Sequence, residues 1–235
     1  MKIVIEAFLW LLIKNKMKNF FNRYRNGDRA LGSRLSTMTM AINLLDSSKK
    51  NNFVETGTTR KNIFTHPKVE DRAADGSSTL FFADYANRYE GRVWTCDIEQ
   101  QNIDNCKIAT KEYENLITYV VDDSVHFLEN LNEPIDFLYL DSLDSESPLA
   151  HHHQLKEIKA AYSKLHQSSV ILLDDLGSKT DLSIEFLKNN NWCQIKIDIP
   201  RPSHYNNFMQ GLFVKEDFLY VNHSLIPQHL RFKDL

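Results

Sequence analysis

Short apolar runs alternate with longer amphipathic segments along the chain after Lys50. The runs are rich in Val, Ile, Leu and Phe, which is typical of parallel strands that are buried on both faces. The predicted strands lie at 52–56, 92–97, 116–121, 135–141, 169–175, 192–199 and 208–215. The helices predicted between them lie at about 77–89, 100–113, 124–131, 147–166 and 179–189. This pattern predicts an α/β sheet of about seven strands, mostly parallel, with an antiparallel last strand.

The first fifty residues have a different pattern. Apolar positions at helical spacing predict helices over 3–25 and 29–48, with a break at 26–28. The apolar run at 3–13 contains Glu6 and has no small-residue cleavage site. It is also shorter than the roughly 20 residues that cross a bilayer. We therefore predict no transmembrane span and an N-terminal helical extension, residues 1–50, that packs on the domain or forms a homo-oligomer; a membrane-surface anchor is the alternative.

Length and composition favour one catalytic domain over 51–221, followed by a tail at 222–235 that packs on it. The 235 residues are 42% hydrophobic, enough to bury one substantial core. The 28 basic and 31 acidic residues are interspersed and give a net charge of −3, so we expect no nucleic-acid partner. Three separated cysteines without CxxC spacing suggest neither a zinc site nor disulfides, which predicts a cytoplasmic protein.

Acidic residues stand where almost every predicted strand ends. In an open α/β sheet, ligands bind beyond the carboxyl ends of the strands, near the point where strand order reverses. Each residue alone could also be a turn former, since Asp favours turns. The acids that follow the first five strands are Glu55, Asp97, Asp122 with Asp123, Asp141, and Asp174 with Asp175. Their joint occurrence predicts a polar functional site along one edge of the sheet.

The stretch from about 52 to 215 resembles the class I methyltransferases that use S-adenosylmethionine (SAM), and among them the metal-assisted O-methyltransferases of the macrocin and catechol types. The resemblance starts with FVETGTTR at 53–60, which matches the turn after the first strand. DGSST at 75–79 supplies a second glycine after an insertion at 59–76. Asp97 then lies about twenty residues beyond Gly76, where a ribose-binding acid is expected. The resemblance implies a Rossmann-like, doubly wound fold.

The resemblance also implies where SAM would bind. Asp97 would accept hydrogen bonds from the ribose hydroxyls, and Glu55 would approach the ammonium group. Asp122 would contact the adenine, although the neighbouring Asp123 could exchange roles with it. The predicted cofactor-binding residues are Glu55, Thr56, Gly57, Thr58, Gly76, Ser77, Ser78, Asp97, Asp122 and Ser124. Ser77 or Ser78 would also cap the next helix.

A divalent metal, Mg²⁺ by the nature of its ligands, is implied by the acids after the fourth and fifth strands. Asp141 in DSLD and the pair Asp174 and Asp175 in LLDDL match the family's metal positions. Oxygen ligands suit Mg²⁺, and such a cation would lower the pKa of an acceptor hydroxyl. The alternative for the Asp pair is a turn with a helix cap.

The catalytic base is less clearly marked. Related families place Lys or His shortly after the fourth-strand acid, whereas Asp144 stands there in this chain. The run 151–153 opens the next helix with three histidines, of which one or two can face the cleft. We predict catalytic roles for Asp141, Asp144 and His151. Acceptor contacts are expected from Arg201, His204 and Tyr205 in the loop 200–207.

These observations predict a SAM-dependent, metal-assisted O-methyltransferase that acts on a hydroxyl of a sugar, a glycan or a glycosylated small molecule. A catechol-like phenolic acceptor is the alternative within the class. A nucleotide-binding oxidoreductase would also use Asp97, but it needs a GxGxxG turn that FVETGTTR lacks. A non-catalytic interaction subunit with the same fold is the third alternative.

Overall fold

The structure is a computed structural model, and it describes residues 19–25, 31–45, 49–60, 77–195 and 210–221. Seven strands lie in these ranges: β1 (Asn52–Thr56), β2 (Arg92–Asp97), β3 (Ile117–Val121), β4 (Ile135–Leu140), β5 (Leu165–Leu173), β6 (Trp192–Ile195) and β7 (Gly211–Lys215). The α-helices are α1 (Leu35–Asn43), α2 (Ser78–Tyr89), α3 (Gln100–Ala109), α4 (Ser124–Asn130), α5 (Ala150–Ala161), α6 (Asp181–Lys188) and α7 (Glu216–Val221). Predicted features at 1–18, 59–76 and 222–235, and the predicted acceptor loop at 200–207, lie wholly or largely outside the described residues.

The strands form one seven-stranded sheet in the order β3-β2-β1-β4-β5-β7-β6. The pairs β1–β2, β2–β3, β1–β4 and β4–β5 are parallel. β7 runs antiparallel to both β5 and β6, so β6 points the same way as the first five strands. The predicted Rossmann-like sheet with its antiparallel last strand is confirmed.

The transition predicted between the helix at 147–166 and the strand at 169–175 was misplaced. The helix predicted to reach residue 166 ends at Ala161, a 3-10 turn follows over Tyr162–Lys164, and β5 begins at Leu165 rather than at 169. The polar sequence at 166–169 hid the start of this strand. Ser169 explains how it is accommodated, because its hydroxyl is buried and donates to the carbonyl oxygen of Ile135 at 2.6 Å.

The core lies on both faces of the sheet, because successive strand residues point to opposite sides. On one face Phe53 of β1 and Phe137 of β4 pack against Phe82 of α2, with ring centroids 5.6 and 5.0 Å from that of Phe82. On the other face Val54, Leu138 and Ile171 belong to a second buried cluster beneath α5 and α6. Helices therefore cover both faces of the sheet.

The described part of the N-terminal extension packs into the first of these clusters. Residues 19–23 are helical, and the ring of Phe20 lies 5.1 Å from that of Phe81. The hydroxyl of Tyr24 donates to Asp84 of α2 at 3.0 Å, and Met38 of α1 is fully buried. The extension thus completes the core. The domain boundary at residue 50 and the homo-oligomer stay predictions.

In the ranges that the structure describes, no helix has the length and apolar character needed to cross a bilayer.

The strand order reverses between β1 and β4, which places a crevice at their carboxyl ends. The backbone N–H of Gly57 donates to the carbonyl oxygen of Cys96 at 2.8 Å, and that of Asp141 donates to Thr56 at 2.9 Å. That of Asp174 donates to Leu140 at 3.1 Å. The loops after four neighbouring strands are therefore held together at one edge, as the strand-end acids predicted.

Candidate active site

A cleft of about 150 Å³ opens at this crevice. Its lining combines apolar side chains with carboxylates and hydroxyls from the loops after β1, β2, β3 and β4. The lining residues are Gly57, Cys96, Asp97, Ile98, Asp123, Ser124, Ser142, Leu143 and His153. An apolar cleft with a few convergent polar groups at a switch point is the usual place for a nucleoside-type ligand in such a fold.

Gly57 forms the floor of the cleft in a conformation that other residues rarely adopt. Its φ is +77°, and a Cβ at this position would lie 2.2 Å from the carbonyl oxygen of Asp141. Only glycine allows the loops after β1 and β4 to approach this closely. The predicted glycine turn is present, and it joins the cleft to the loop that carries Asp141.

Asp97 is held in place at the end of β2 by hydrogen bonds to its carboxylate. Oδ2 accepts from the backbone N–H of Thr58 at 3.2 Å. Oδ1 accepts from the backbone N–H of Glu99 at 2.9 Å and from the side-chain amide of Asn102 at 3.1 Å. A carboxylate offers about four lone-pair sites, so Asp97 keeps capacity for a ligand hydroxyl in the cleft.

Glu55 lies under the β1 turn and is fully buried. Its Oε2 accepts from the hydroxyls of Thr79 at 2.5 Å and Thr95 at 2.8 Å. Burial raises the pKa of Glu55 to about 7, although hydrogen bonds from Ser78, Thr79 and Thr95 act in the opposite direction. A buried carboxyl without a cationic partner in the described residues is suited to receive one from a ligand.

Several buried polar atoms near the carboxyl ends of β1 and β4 make no hydrogen bond within the described part of the chain. Buried polar atoms in proteins are nearly always paired, so such a group calls for an explanation. These atoms are Glu55 Oε1, Thr56 Oγ1, Ser77 Oγ and Ser142 Oγ. They fit a ligand that carries both a carboxylate and an ammonium group, as the amino-acid part of SAM does. Gly76, predicted to contribute here, lies outside the described residues.

Two predicted details of this region need correction. Ser77 stands at the N-cap position of α2, but its side chain makes no capping hydrogen bond. After β3 it is Asp123, not Asp122, that lines the cleft, together with Ser124. Asp123 also caps α4 by accepting from the backbone N–H groups of Val125 and His126. Asp122 points to another groove and pairs with His126 at 2.6 Å, which lowers the pKa of its carboxyl.

The histidine that reaches the cleft is His153. Its Nε2 lies 2.9 Å from the hydroxyl of Ser124. The rings of His151 and His152 instead contact each other at a tilt, with centroids 4.2 Å apart, and neither lines the cleft. The sequence marked the right run of residues, but the helix phase that selects His153 depends on where α5 begins.

Asp144 also lies away from the other predicted catalytic groups. Its carboxylate forms an exposed ion pair with Arg60, at 2.8 Å from Nη1 to Oδ2. This pair connects the loop after β1 to the loop after β4 at the rim of the cleft. The predicted catalytic role for Asp144 has no support from this geometry.

Asp141, Asp174 and Asp175 come together beside the cleft, with one ligand oxygen from each within 4.8 Å of the others. Asp175 has a φ of +55°, an uncommon conformation for a non-glycine residue that Asp tolerates better than most. The side chain of Asp141 is 28% exposed, whereas that of Asp174 is completely buried. The predicted convergence of these acids is therefore present, and Asp141 is its most accessible member.

Two cations that the sequence analysis missed belong to this acidic cluster. Arg34, at the start of α1, contacts both oxygens of Asp174, with Nη2 at 2.5 Å from Oδ2 and Nε at 3.1 Å from Oδ1. Lys179, in the turn before α6, places Nζ 3.5 Å from Asp141 Oδ1 and 3.4 Å from Asp175 Oδ2. Lys179 follows Asp175 by four residues, a spacing that could have revealed it; no local pattern marks Arg34.

The charges in the cluster shift its pKa values in opposite directions. Burial alone would raise the pKa of the Asp174 carboxyl. The charge and hydrogen bonds of the Arg34 guanidinium act in the opposite direction and help bring the pKa below its ordinary value. Burial and the neighbouring Asp174 charge hold the pKa of Asp141 well above its usual range. Burial lowers the pKa of Lys179, and the three carboxylates reverse this, so the ammonium form is favoured.

These contacts do not fit a metal site built from all three carboxylates. Asp174 already accepts from Arg34 on both oxygens, and its Oδ1 also accepts from the Gln210 side chain at 2.8 Å. Lys179 lies between the accessible oxygens of Asp141 and Asp175. A divalent ion would be placed next to two positive charges, and its binding would be opposed by their repulsion. The predicted ligand set is therefore assembled, but Arg34 and Lys179 already pair with its members.

The sequence of residues 73–176 matches a family of methyltransferase domains. No curated protein shows significant sequence similarity to the chain. The fold resembles that of SMU.1697c from Streptococcus mutans, solved in complex with SAH (S-adenosylhomocysteine), with a TM-score of 0.53 and 14% identity over 76% of this chain and 94% of that one.

Two other solved structures share the fold. An rRNA methylase from Streptococcus thermophilus has a TM-score of 0.55 and 14% identity, covering 79% of this chain and 99% of that one. The N-methyltransferase NodS from Bradyrhizobium japonicum has a TM-score of 0.53 and 12% identity, covering 77% and 94%. The family match covers less than half of the chain, and at 12–14% identity these solved structures show a shared fold.

Proposed function

We propose that this chain transfers the methyl group of SAM to a hydroxyl group of a sugar or a similar polyol, and that SAM binds in the cleft between β1 and β4. The observation that carries the proposal is the set of buried polar atoms left unpaired around Glu55 and Ser142, next to the oriented carboxylate of Asp97. NAD is disfavoured, because the β1 turn lacks the glycines that seat a pyrophosphate.

The residues of the cleft divide among the parts of SAM. Asp97 accepts hydrogen bonds from the ribose, and Asp123 with Ser124 borders the adenine. Glu55 receives the ammonium group, while Ser77 and Ser142 donate to the carboxylate. Thr58 holds Asp97 through its backbone N–H and contacts Thr79 through its hydroxyl, so it orients both sides of the site.

SAM supplies a methyl group on a sulfonium sulfur, which leaves as the neutral thioether SAH when an oxygen attacks the methyl carbon. Asp141 is the residue of the acidic cluster best placed to accept the hydroxyl proton, because it adjoins Gly57 and its side chain is partly exposed. The protein's remaining task is to hold the acceptor oxygen aligned and close, which alone contributes several kcal/mol to catalysis. His153 lies on the adenine side and takes no part in proton transfer.

A polar acceptor is favoured over a catechol by the composition of the described surface. The large hydrophobic residues exposed in the described ranges are Ile98, Ile108, Val121 and Leu149, and none of them is aromatic. A flat phenolic acceptor is usually held between aromatic or other large apolar side chains.

The test is a transfer assay with methyl-deuterated SAM and four acceptor classes: mixed deoxysugars, glycosylated small molecules, a catechol and an RNA pool. We expect mass spectrometry to find the labelled methyl on a sugar oxygen. The Asp141→Asn variant should lose at least a hundredfold in rate while binding SAM normally. Label on the catechol or the RNA would refute the sugar assignment, and no transfer with intact SAM binding would favour a non-catalytic role.

A further inference from the structure

The acidic cluster beside the cleft is compensated by cations of the chain on both of its sides. The side chains of Arg34 and Lys179 are only 5% and 2% exposed. Long cationic side chains are rarely buried this deeply unless they are paired with opposite charges. The cluster therefore combines three carboxyl groups with two cationic side chains.

Arg34 removes Asp174 from the set of available ligands. Its Nε and Nη2 both donate to the carboxylate, and the Gln210 side chain completes the pairing of Oδ1. The same Gln210 amide donates to the hydroxyl of Tyr139 at 3.1 Å, and its oxygen accepts from Thr37 of α1. Asp174 thus anchors the N-terminal extension to the sheet and faces away from any exchangeable ligand.

Lys179 occupies the position between the two carboxylates that remain. Its Nζ lies 3.5 Å from Asp141 Oδ1 and 3.4 Å from Asp175 Oδ2, so one ammonium group bridges both oxygens. The turn from Gly177 to Thr180 holds Lys179 in place. The Thr180 hydroxyl accepts from the backbone N–H of Gly177 and donates to its carbonyl oxygen. The ammonium group is therefore held between the two carboxylates that Arg34 does not contact.

We propose that Lys179 is a built-in cation that takes the place of a divalent metal between Asp141 and Asp175. It acts as a positioning residue: it holds the carboxylates of Asp141 and Asp175 together, while the other oxygen of Asp141, Oδ2, accepts from the Tyr139 hydroxyl at 3.2 Å. The chain consequently binds no divalent metal at this cluster. The inference rests on the proposed function only where it concerns transfer; the placement of the cation can be tested without any substrate.

The test is a titration of the full chain with Mn²⁺, followed by electron paramagnetic resonance, which measures the free ion and gives the bound ion by difference. The wild-type chain should show no specific site below millimolar Mn²⁺. Lys179→Ala, which leaves Asp141 and Asp175 uncompensated, should gain one site that binds at least tenfold more tightly. Lys188→Ala, which changes an exposed lysine nine positions away on α6, should behave as the wild type.

A second substitution shows where the gained ion binds. Adding Asp175→Asn to Lys179→Ala should abolish the new site, since one of its two ligands is then neutral. Lys179→Met, which retains most of the side-chain volume, replaces Lys179→Ala if the alanine variant unfolds. One tight Mn²⁺ site in the wild type would overturn the proposal, and so would the absence of any gain in a folded Lys179 variant.

The same samples separate this inference from the proposed function. Transfer by the wild-type chain should be unchanged by a chelator and by added Mg²⁺. A chain that binds no SAM would refute the methyltransferase proposal and leave the Mn²⁺ result intact. Transfer that requires added metal would refute the built-in cation and leave the methyltransferase proposal intact.

Discussion

The two halves of the site differ in whether their buried carboxyl groups are paired within the chain. On the cofactor side, below β1, the fully buried Glu55 has one unpaired oxygen and no cationic partner in the described residues. On the acidic side, beyond β5, Asp174 is equally buried, but it is paired with Arg34 and Gln210. The comparison indicates that unpaired groups mark where a ligand is expected, whereas carboxylates that merely converge can serve the fold.

The largest effect is expected from breaking the acidic side. Arg34→Met leaves the Asp174 carboxylate buried without a counter-charge, and breaking a buried ion pair in this way costs about 3–5 kcal/mol. Urea unfolding at neutral pH should show that loss, whereas Arg92→Met, at an exposed position, should change the free energy of unfolding by less than about 0.5 kcal/mol.

Neutralising the partner should reverse part of that loss. The double variant Arg34→Met with Asp174→Asn removes the uncompensated charge, so it should be more stable than Arg34→Met alone. If the double variant is less stable than the single one, the pairing of Asp174 with Arg34 does not carry the energetic role given to it.

On the cofactor side, neutralising the buried carboxylate of Glu55 should raise the free energy of unfolding, whereas Arg34→Met should lower it. Burial raises the pKa of Glu55 to about 7 from an ordinary value of 4.5, so between these pH values the folded chain keeps a proton that the unfolded chain has lost. Glu55 therefore lowers the free energy of unfolding as the pH rises from about 4.5 to 7, by about 3 kcal/mol in total. Above pH 7, Glu55→Gln should be more stable than the wild type.

The pH series of Glu55→Gln is best compared with that of Glu114→Gln, which changes an exposed carboxylate. The stability difference from the wild type should grow between pH 4.5 and 7 for Glu55→Gln and stay flat for Glu114→Gln. In addition, SAM should bind more weakly to the wild type below pH 7, since protonated Glu55 cannot pair with its ammonium group. A flat difference for Glu55→Gln would mean that its carboxyl is not desolvated as the structure indicates.

The smallest effects on stability and on SAM affinity are expected from Asp122 and Asp123, the two acids after β3. Asp123→Ala should lose about 1 kcal/mol of stability, because it removes the cap of α4, and it should also weaken SAM binding severalfold. Asp122→Ala should leave SAM affinity unchanged, because that side chain faces another groove. Thermal unfolding with and without SAM measures both quantities, and a loss of affinity confined to Asp122→Ala would reverse the assignment.

The sequence predicted the sheet and the rim of the site well, because both depend on local patterns. Continuous apolar runs identify buried parallel strands, and the acids at their ends converge because parallel strands end at one edge. The prediction failed where contacts between residues distant in sequence determine the structure. Ser169 is accommodated in β5 by a carbonyl on β4, and Arg34 reaches Asp174 across more than a hundred positions of sequence, with no local signal.

The helix phase was the other source of error. In the run 151–153, the side chains point about a hundred degrees apart, so a shift of two positions exchanged His151 for His153. The same limit applies after β3, where adjacent residues face different grooves. Sequence patterns thus gave the neighbourhood of each site residue, and the packing of the surrounding helices selected the side chain.

The most direct test of the central claim is a calorimetric titration of the full chain with SAM in the presence of EDTA. One SAM should bind per chain with unchanged affinity in the chelator. Asp97→Ala should weaken binding by about 10- to 100-fold, as expected for lost hydrogen bonds to a charged group, and Asp104→Ala, on the outer surface of α3, should not. No binding of SAM, or equal affinity in Asp97→Ala and the wild type, would contradict the account.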